Sequence, residues 1–187
     1  MKETHYLILS AGSAVGKGTL IQALKQADPT LGFAISSTTR LPREGESDGV
    51  QYYFEKEEDM IEMIEAGCFL EYTVRNGVYY GTLRAELERH ENVVICDLDI
   101  KGAYTLKQLY PQTTTLVYLK VNPKEQEKRL RSRPDSTITE EEIQWRLNAS
   151  VQELHAARDF DHIITNDHTD LTLQLLQTFI ADIRKNM

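Results

Sequence analysis

The segment from Leu7 to Leu20, LILSAGSAVGKGTL, constrains the chain most, because it has the pattern of a phosphate-binding loop between a strand and a helix. Apolar residues typical of a strand lead into small residues that end in GKGT at positions 16–19. Small side chains let backbone N–H groups surround phosphate oxygens, and the following helix directs its partial positive end at the anion. The segment therefore predicts an anion site where the first strand ends.

The polar residues at the end of this phosphate loop have separate predicted tasks. Lys17 would bring a full charge to the β- and γ-phosphates of a nucleotide, and Thr19 or ordered water would complete a Mg²⁺ shell. Ala11 replaces a glycine of the usual pattern, which causes strain only if that position requires a positive φ, and Gly12 could absorb part of the turn. We expect the nucleotide to contact Gly12, Ser13, Ala14, Val15, Gly16, Lys17, Gly18 and Thr19.

Length and charge narrow the class of protein. A chain of 187 residues with ordinary apolar and charged fractions suits one domain. The formal net charge of -8 argues against binding along a nucleic-acid backbone, although local arginines can still form an anion site. We expect no membrane span and no signal peptide, since the apolar runs are short and the N-terminus MKETHY is polar. Cys68 and Cys96 are predicted to be reduced core thiols of a cytoplasmic protein.

Strand and helix patterns alternate along both ends of the chain. This alternation predicts a parallel sheet with helices on both faces, whereas the middle, residues 33–80, is more typical of antiparallel pairing. Predicted strands are 5–10, 33–37, 48–54, 69–74, 78–80, 92–98, 115–119 and 162–165, with a turn at Asn76-Gly77. Predicted helices are 19–26, 56–66, 83–90, 100–109, 124–131, 140–157 and 171–185.

A second anion site is predicted after the short strand at residues 33–37. Arg40 and Arg43 lie three residues apart around Pro42, so a stiff turn presents both guanidinium groups, which suit bidentate phosphate contacts. Two arginines on a loop are more often simply exposed to solvent. Together with Lys17, however, they predict two phosphate sites in one small domain, as transfer between two phosphorylated molecules requires.

The order and spacing of several motifs resemble the guanylate kinase family over nearly the whole chain. The motifs are the phosphate loop, SSTTRLPREGE at 36–46, Gly49 and Tyr52, Glu71, YYGT at 79–82, DLDIKG at 97–102, and Asn166-Asp167. The resemblance implies a P-loop nucleoside monophosphate kinase-like α/β fold, with a parallel sheet flanked by helices, an inserted mixed β/α lobe that binds GMP, and a helical lid. It divides the single domain 1–187 into a core of 1–35, 88–128 and 144–187, a lobe of 36–87 and a lid of 129–143.

The resemblance also implies how GMP is bound. Arg40 and Arg43 would hold the GMP phosphate, and Tyr52 and Tyr80 would complete its cage. The guanine base would be read by Ser36, Glu71, Thr82 and Asp99. The carboxylate of Glu71 can accept hydrogen bonds from guanine N1–H and the N2 amino group, whereas adenine would place an acceptor against it.

Lid arginines are the remaining implied catalytic groups. Arg129 and Arg133, one helical turn apart, and Arg146 of the next helix would neutralise charge on the moving phosphoryl group. The implied catalytic set is therefore Lys17, Arg40, Arg129, Arg133 and Arg146. Asn166 is assigned to the ATP site. Trp145 is expected to be a packing residue.

The implied reaction converts ATP and GMP, or dGMP, into ADP and GDP in purine nucleotide metabolism, with Mg²⁺ as cofactor and no nucleic-acid or membrane partner. Two alternatives remain open at this stage: a non-catalytic protein-binding module of the same family, and a paralogous kinase for another small phosphorylated acceptor. Departures from the family pattern at Gln51 and Lys101 leave room for the second. The other departures are Ala11, Ala14 and Pro134, and Pro134 would stiffen a hinge of the lid.

Overall fold

The structure, a computed structural model, describes residues 4–75, 77–90, 92–132 and 138–187, apart from the side chain of Arg75. It contains a five-stranded and a four-stranded sheet. The strands are β1 His5–Ala11, β2 Gly32–Ala34, β3 Ser36–Thr38, β4 Tyr53–Phe54, β5 Phe69–Arg75, β6 Val78–Leu83, β7 Val93–Asp97, β8 Thr114–Lys120 and β9 His162–Thr165. The helices are α1 Lys17–Ala27, α2 Glu57–Glu65, α3 Arg84–Glu88, α4 Ile100–Leu109, α5 Pro123–Arg131, α6 Glu140–Ala156 and α7 Thr169–Asn186, with a 3₁₀ turn at Ala157–Asp159.

The larger sheet has the order β2-β7-β1-β8-β9, and all its strands are parallel. Continuous apolar runs form its central strands because helices cover both of its faces. One buried cluster joins the sheet to α1 and α7 through residues such as Leu24 and Leu176. The other joins the opposite face to α4 and the 3₁₀ turn through Leu106 and Ala157. The predicted α/β class with a helix-flanked parallel sheet is confirmed.

The smaller sheet has the order β4-β3-β6-β5 and mixed pairing. β3 runs parallel to β4 and antiparallel to β6, which also pairs antiparallel with β5. This sheet confirms the expected change to largely antiparallel pairing in the middle of the chain. Of the turn predicted at Asn76-Gly77, Asn76 lies outside the described residues, and Gly77 has a φ of 76°.

The prediction of one strand at 33–37 was wrong. The chain forms β2 in the larger sheet and β3 in the smaller one, separated by Ile35. Alternation of apolar and polar residues indicates which face of a sheet each side chain lies on. It does not indicate which neighbouring strand supplies the hydrogen bonds, so the pattern could not predict that the chain changes sheet. The crossing at Ile35 brings the smaller sheet next to the carboxyl ends of the parallel strands.

The two cysteines differ from each other. Cys96 lies buried in β7, where burial raises the pKa of its thiol, whereas Cys68 is exposed. The prediction of a core thiol at Cys68 was therefore wrong, because this residue lies in the connection between α2 and β5 rather than within a covered strand. Among the residues that the structure describes, we find no helix with the length and apolar character that crossing a membrane demands.

Substitution of Leu24 by Ala should show how much the α1 side of the core contributes to stability. Leu24 is fully buried, so the variant should lose about 2–5 kcal/mol of unfolding free energy through lost burial and a cavity. Leu171→Ala in α7, where the side chain is 62% exposed, is the matched control and should change stability by less than about 1 kcal/mol. Urea unfolding measures both, and equal losses would contradict the assigned core.

Candidate functional site

The phosphate loop joins the end of β1 at Ala11 to the start of α1 at Lys17. Ala11 is the last residue of the extended strand β1, so replacing the usual glycine at this position causes no backbone strain. The left-handed conformations fall instead at Ala14, with φ 60°, and Gly16, with φ 98°. Ala14 therefore carries the conformation that glycine adopts without cost, and the loop stores a small strain at this residue.

Gly12 is required because a side chain would not fit there, not because its backbone adopts a positive φ. A Cβ at this position would lie 2.4 Å from Ser150 Oγ on α6, closer than real contacts allow. Gln126 of α5 stands beside them, and its Nε2 donates to Ser13 O at 2.7 Å and to Ser150 Oγ at 2.8 Å. The absence of a side chain at Gly12 thus lets α5 and α6 pack directly on the loop.

The carbonyl of Val15 is held by two donors. Asn166 Nδ2 donates to it at 2.8 Å, and Arg129 donates through a terminal guanidinium nitrogen at 3.0 Å. Because a trans peptide directs its C=O and the next N–H in opposite directions, this grip also aims the N–H of Gly16 away from both donors. Asn166 is fully buried. Among the described residues, its Oδ1 is one of the few buried side-chain nitrogen and oxygen atoms that have no hydrogen-bond partner.

The positive charge of the loop is balanced from β7. Lys17 Nζ donates to a carboxylate oxygen of Asp97, at the carboxyl end of that strand. The exposed side chain of Thr19 faces the same cleft. Hydroxyl and carboxylate oxygens are ligands that Mg²⁺ prefers. The described residues include no cluster of three His, Cys, Asp or Glu side chains that could hold a metal ion.

Arg40, the first arginine of the second site, is fixed by Glu46. Its guanidinium donates to both carboxylate oxygens of Glu46, at 2.8 and 3.1 Å, and lies over the ring of Tyr52, 5.4 Å from the centroid. The backbone N–H of Arg43 donates to Glu46 as well, at 2.7 Å. The hydrogen bonds from Arg40 lower the pKa of Glu46. Sequence reasoning missed the role of Glu46, and its only sequence signal is a carboxylate three residues after Arg43.

The predicted base-reading residues converge where β3, β5 and β6 meet the start of α4. Thr82 pairs with Glu71 on β5 and with Ser36 on β3, and its hydroxyl lies 3.2 Å from Ser36 Oγ. Asp99 caps α4 by accepting from the N–H of Gly102 at 2.8 Å. A Cβ on Gly102 would approach Glu71 Cγ to 2.8 Å, so this glycine lets the two elements meet.

The carboxyl of Glu71 has an unusual pKa. Burial is the largest effect and, with the nearby Asp99 charge, it raises the pKa of Glu71 to about 7, although hydrogen bonds with Thr82 act in the opposite direction. Burial likewise raises the pKa of Tyr52 to about 12, with Asp97 contributing. Tyr52 therefore stays a hydrogen-bond donor at neutral pH, whereas Glu71 is close to the point at which it gains a proton.

One cleft connects these groups. Its volume is about 750 Å³, and its lining includes the whole phosphate loop together with Ser36, Arg43, Tyr52, Glu71, Tyr80, Asp99, Arg129 and Arg146. An adjoining cavity of about 370 Å³ adds Arg40 to Arg43, Tyr52 and Tyr80. Thr82 and Asn166 are fully buried and are not among the described residues that line the two cavities, so the contacts predicted for them with nucleotides remain predictions.

The structure describes two of the three predicted lid arginines, Arg129 and Arg146. Arg146 donates to Ser13 Oγ at 3.0 Å and to Glu142, while Arg129 pairs with Glu125. Both pairs have the i, i+4 spacing of helical ion pairs, a signal readable from sequence.

α5 ends at Arg131, and the next predicted lid residues, Arg133 and Pro134, lie outside the described residues. Trp145 is 59% exposed and lines the cleft, so its expected packing role was wrong. It lies on the solvent-facing side of α6, a fact that an isolated aromatic residue does not reveal in sequence.

A phosphate loop after the first strand of a parallel sheet, facing a second basic site across one cleft, defines the class of P-loop nucleotide-binding proteins. The family model described as Guanylate kinase matches residues 3–183. A guanylate kinase from Thermosynechococcus vestitus is 40% identical over 177 residues, covering 93% of this chain and 92% of that protein. One from Prochlorococcus marinus is 37% identical over 186 residues, covering 95% and 100%. The chain belongs to the guanylate kinase family.

Solved structures agree on the fold. The crystal structure of guanylate kinase from Anaplasma phagocytophilum matches with a TM-score of 0.76 at 19% identity, covering 97% of this chain and 86% of that one. A gluconokinase from Sinorhizobium meliloti gives a TM-score of 0.54 at 12% identity, with 100% and 97% covered. At such identities the likeness concerns the fold alone, so it supports the sheet and helix arrangement.

Replacing Gly12 by Ala should disrupt the contact between the phosphate loop and α6. The added methyl group meets Ser150, so the melting temperature should fall by several degrees, as for overpacking that costs about 1–3 kcal/mol. Gly18→Ala is the matched control and should not lower the melting temperature, since a Cβ there meets nothing within 4 Å and alanine is the better helix former. Scanning calorimetry compares the two variants, and a Gly12→Ala protein as stable as wild type would contradict the described contact.

Proposed function

We propose that this chain is an ATP-dependent guanylate kinase, which transfers the γ-phosphoryl group of ATP to GMP or dGMP and releases ADP with GDP or dGDP in purine nucleotide metabolism. The observation that carries the proposal is the single cleft lined by both Lys17 and Arg43. Transfer in line between two phosphates requires donor and acceptor to face each other across one space. The relatives at 37–40% identity named guanylate kinase support the choice of substrates. We further propose a cytoplasmic location.

The donor site would be the phosphate loop. Its N–H groups, oriented by the grip on the carbonyls of Ser13 and Val15, would surround the β-phosphate, and Lys17 would exchange its partner Asp97 for phosphate oxygens. Thr19 would hold Mg²⁺ together with phosphate oxygens and water. When bound, the ion would neutralise charge on the transferred phosphate. Asn166 would support this site from behind the loop.

The acceptor site would be the surface of the smaller sheet that faces the cleft. Arg40 and Arg43 would bind the GMP phosphate, with the hydroxyls of Tyr52 and Tyr80 completing the cage. The base would lie against Glu71, with Ser36 and Asp99 as its other polar contacts on the cleft surface. The buried hydroxyl of Thr82 would take part from behind Ser36, which it contacts. An ionised Glu71 accepts both N–H donors of the guanine edge, and adenine would leave that buried carboxylate facing an acceptor.

Catalysis would depend on positioning and charge rather than on a covalent intermediate. Arg129 and Arg146 line the cleft and donate to Val15 O and Ser13 Oγ of the phosphate loop, which supports a role beside the transferred phosphate. We propose that they, with Arg133, stabilise charge on the moving phosphoryl group.

We also propose the division into a core, a GMP-binding lobe of 36–87 and a lid of 129–143, whose closure would exclude water from the reacting phosphate. The alternative of a non-catalytic module is not favoured, since Lys17 and both described lid arginines remain at the loop. Nor do the departures from the family pattern require another acceptor. Gln51, one of them, serves its own loop by accepting from the N–H of Ser47 at 2.9 Å.

Removal of either charged anchor should nearly abolish turnover. We expect Lys17→Ala and Arg43→Ala each to lower kcat/KM on the order of 10²–10³-fold, because each removes a cation from phosphates in the transition state. The assay couples ADP and GDP formation to NADH oxidation. Lys185→Ala and Arg158→Ala, at side chains 74% and 72% exposed, are matched controls and should retain activity. Rates like wild type in either anchor variant would remove that residue from the site.

Glu71 should make GMP binding depend on pH near neutrality. Its carboxyl has a pKa raised to about 7, so it is ionised above that pH and gains a proton as the pH falls. We expect the KM for GMP to rise up to about tenfold per pH unit below 7. Glu71→Gln cannot titrate, so it should lose this dependence while retaining the titration of the GMP phosphate itself.

The same variant tests base selection. Glu71→Gln should narrow the preference for GMP over AMP in kcat/KM, because the amide offers one acceptor oxygen and places a donor beside it. Unchanged selectivity, together with a pH profile identical to wild type, would show that another group reads the base. Circular dichroism across the pH range confirms that both proteins stay folded during the comparison.

A further inference from the structure

Glu86 is a buried carboxylate that the proposed reaction does not use. It lies in α3 with 4% of its surface exposed, and it accepts hydrogen bonds from the end of its own helix and from two distant parts of the chain. The N–H of Ile35 donates to Oε2 at 3.0 Å, the hydroxyl of Tyr53 donates to Oε1 at 3.0 Å, and Arg89 donates to Oε1 at 2.7 Å. A charged group in such surroundings requires this degree of hydrogen bonding to be tolerated.

Two of these donors occupy special places in the fold. Ile35 is the residue between β2 and β3, where the chain passes from the larger to the smaller sheet, and Tyr53 is the first residue of β4. Each lies next to a residue of the proposed acceptor site. Ser36 follows Ile35, and Tyr52 precedes Tyr53, and both neighbours line the cleft.

The contacts keep Glu86 ionised and oriented. Burial alone would raise its pKa, but the bonds from Ile35, Arg89 and Tyr53 outweigh burial, so the pKa of Glu86 is lowered. Arg89 also donates to the hydroxyl oxygen of Tyr53 at 2.9 Å, which leaves the hydroxyl hydrogen for Glu86. Removal of the carboxylate would leave the N–H of Ile35 and the hydroxyl of Tyr53 without this hydrogen-bond acceptor.

We propose that Glu86 is a positioning residue for the acceptor nucleotide, because it ties the crossing at Ile35 to β4 and so holds Ser36 and Tyr52 in place. The inference rests on the proposed function and adds a residue outside the substrate-contacting set. Glu86 is absent from the described residues that line the two cavities, so it acts through its neighbours. An error in the placement of Ser36 and Tyr52 should weaken acceptor binding while leaving the phosphate loop intact.

Steady-state kinetics of Glu86→Ala and Glu86→Gln test this role. We expect Glu86→Ala to raise the KM for GMP at least tenfold while the KM for ATP stays within about twofold. Glu86→Gln should have a smaller effect, because its amide oxygen can still accept from Ile35. Tyr53→Phe removes one donor without changing the carboxylate and should also raise the KM for GMP. Glu88→Gln, an exposed carboxylate of the same helix, is the matched control and should match wild type.

If Glu86 had a purely structural role, its substitution would change stability rather than the KM for GMP. It would lower the melting temperature and the active fraction, but it would leave the KM for GMP unchanged in the molecules that remain folded. That outcome, or equal changes in the KM for GMP and for ATP, would overturn the inference. If Glu86→Ala does not fold, Glu86→Gln and Tyr53→Phe decide the question by the same criterion.

The wild-type protein separates this inference from the proposed function. Wild type that turns over GMP while the variants keep its KM would overturn the role of Glu86 alone. Wild type that neither binds nor phosphorylates GMP would overturn the proposed function and this inference with it. Binding is followed by fluorescence of Trp145, the single tryptophan, which lines the cleft.

Discussion

The grip on the backbone of the phosphate loop is the interaction on which the rest of the site depends. Carbonyls of Ser13 and Val15 accept hydrogen bonds from Gln126, Asn166 and Arg129. A loop with a left-handed alanine and a cluster of N–H groups would not keep one shape by itself. Because α5 and the segment after β9 supply these donors, the loop is held in this shape only when the second half of the chain has folded onto β1.

Charge in the cleft is paired before any nucleotide arrives. Lys17 contacts Asp97, Arg40 contacts Glu46, and the lid arginines contact the helical glutamates Glu125 and Glu142. On a protein with a net charge of -8, such pairing holds several cations close together despite their mutual repulsion. In the proposed reaction, a phosphate would replace one of these carboxylate partners, so its affinity would reflect the difference between two ion pairs rather than the full attraction.

Much of the fold could be predicted, because hydrophobic periodicity depends on residues close in sequence. The strand at His5–Ala11 and the helix at Ile100–Leu109 were recognisable from their own apolar spacing. The division of residues 33–37 between two sheets was not, since strand partners are distant in sequence. In the site, the residue types of Lys17 and Arg43 indicated anion binding, whereas the carboxylate supporting Arg40 and the buried Glu86 required knowledge of three-dimensional neighbours.

The amino-acid sequence by itself determined the phosphate loop, the arginine pair, the α/β class and the family, because these reside in local order and spacing. Only the tertiary structure decided that Lys17 and Arg43 line one cleft, that burial raises the pKa of Glu71 to about 7, and that Ala14 adopts the left-handed conformation in the loop. The reason is physical: burial, electric fields and the packing of Ser150 against Gly12 arise from groups that meet only when distant segments come together.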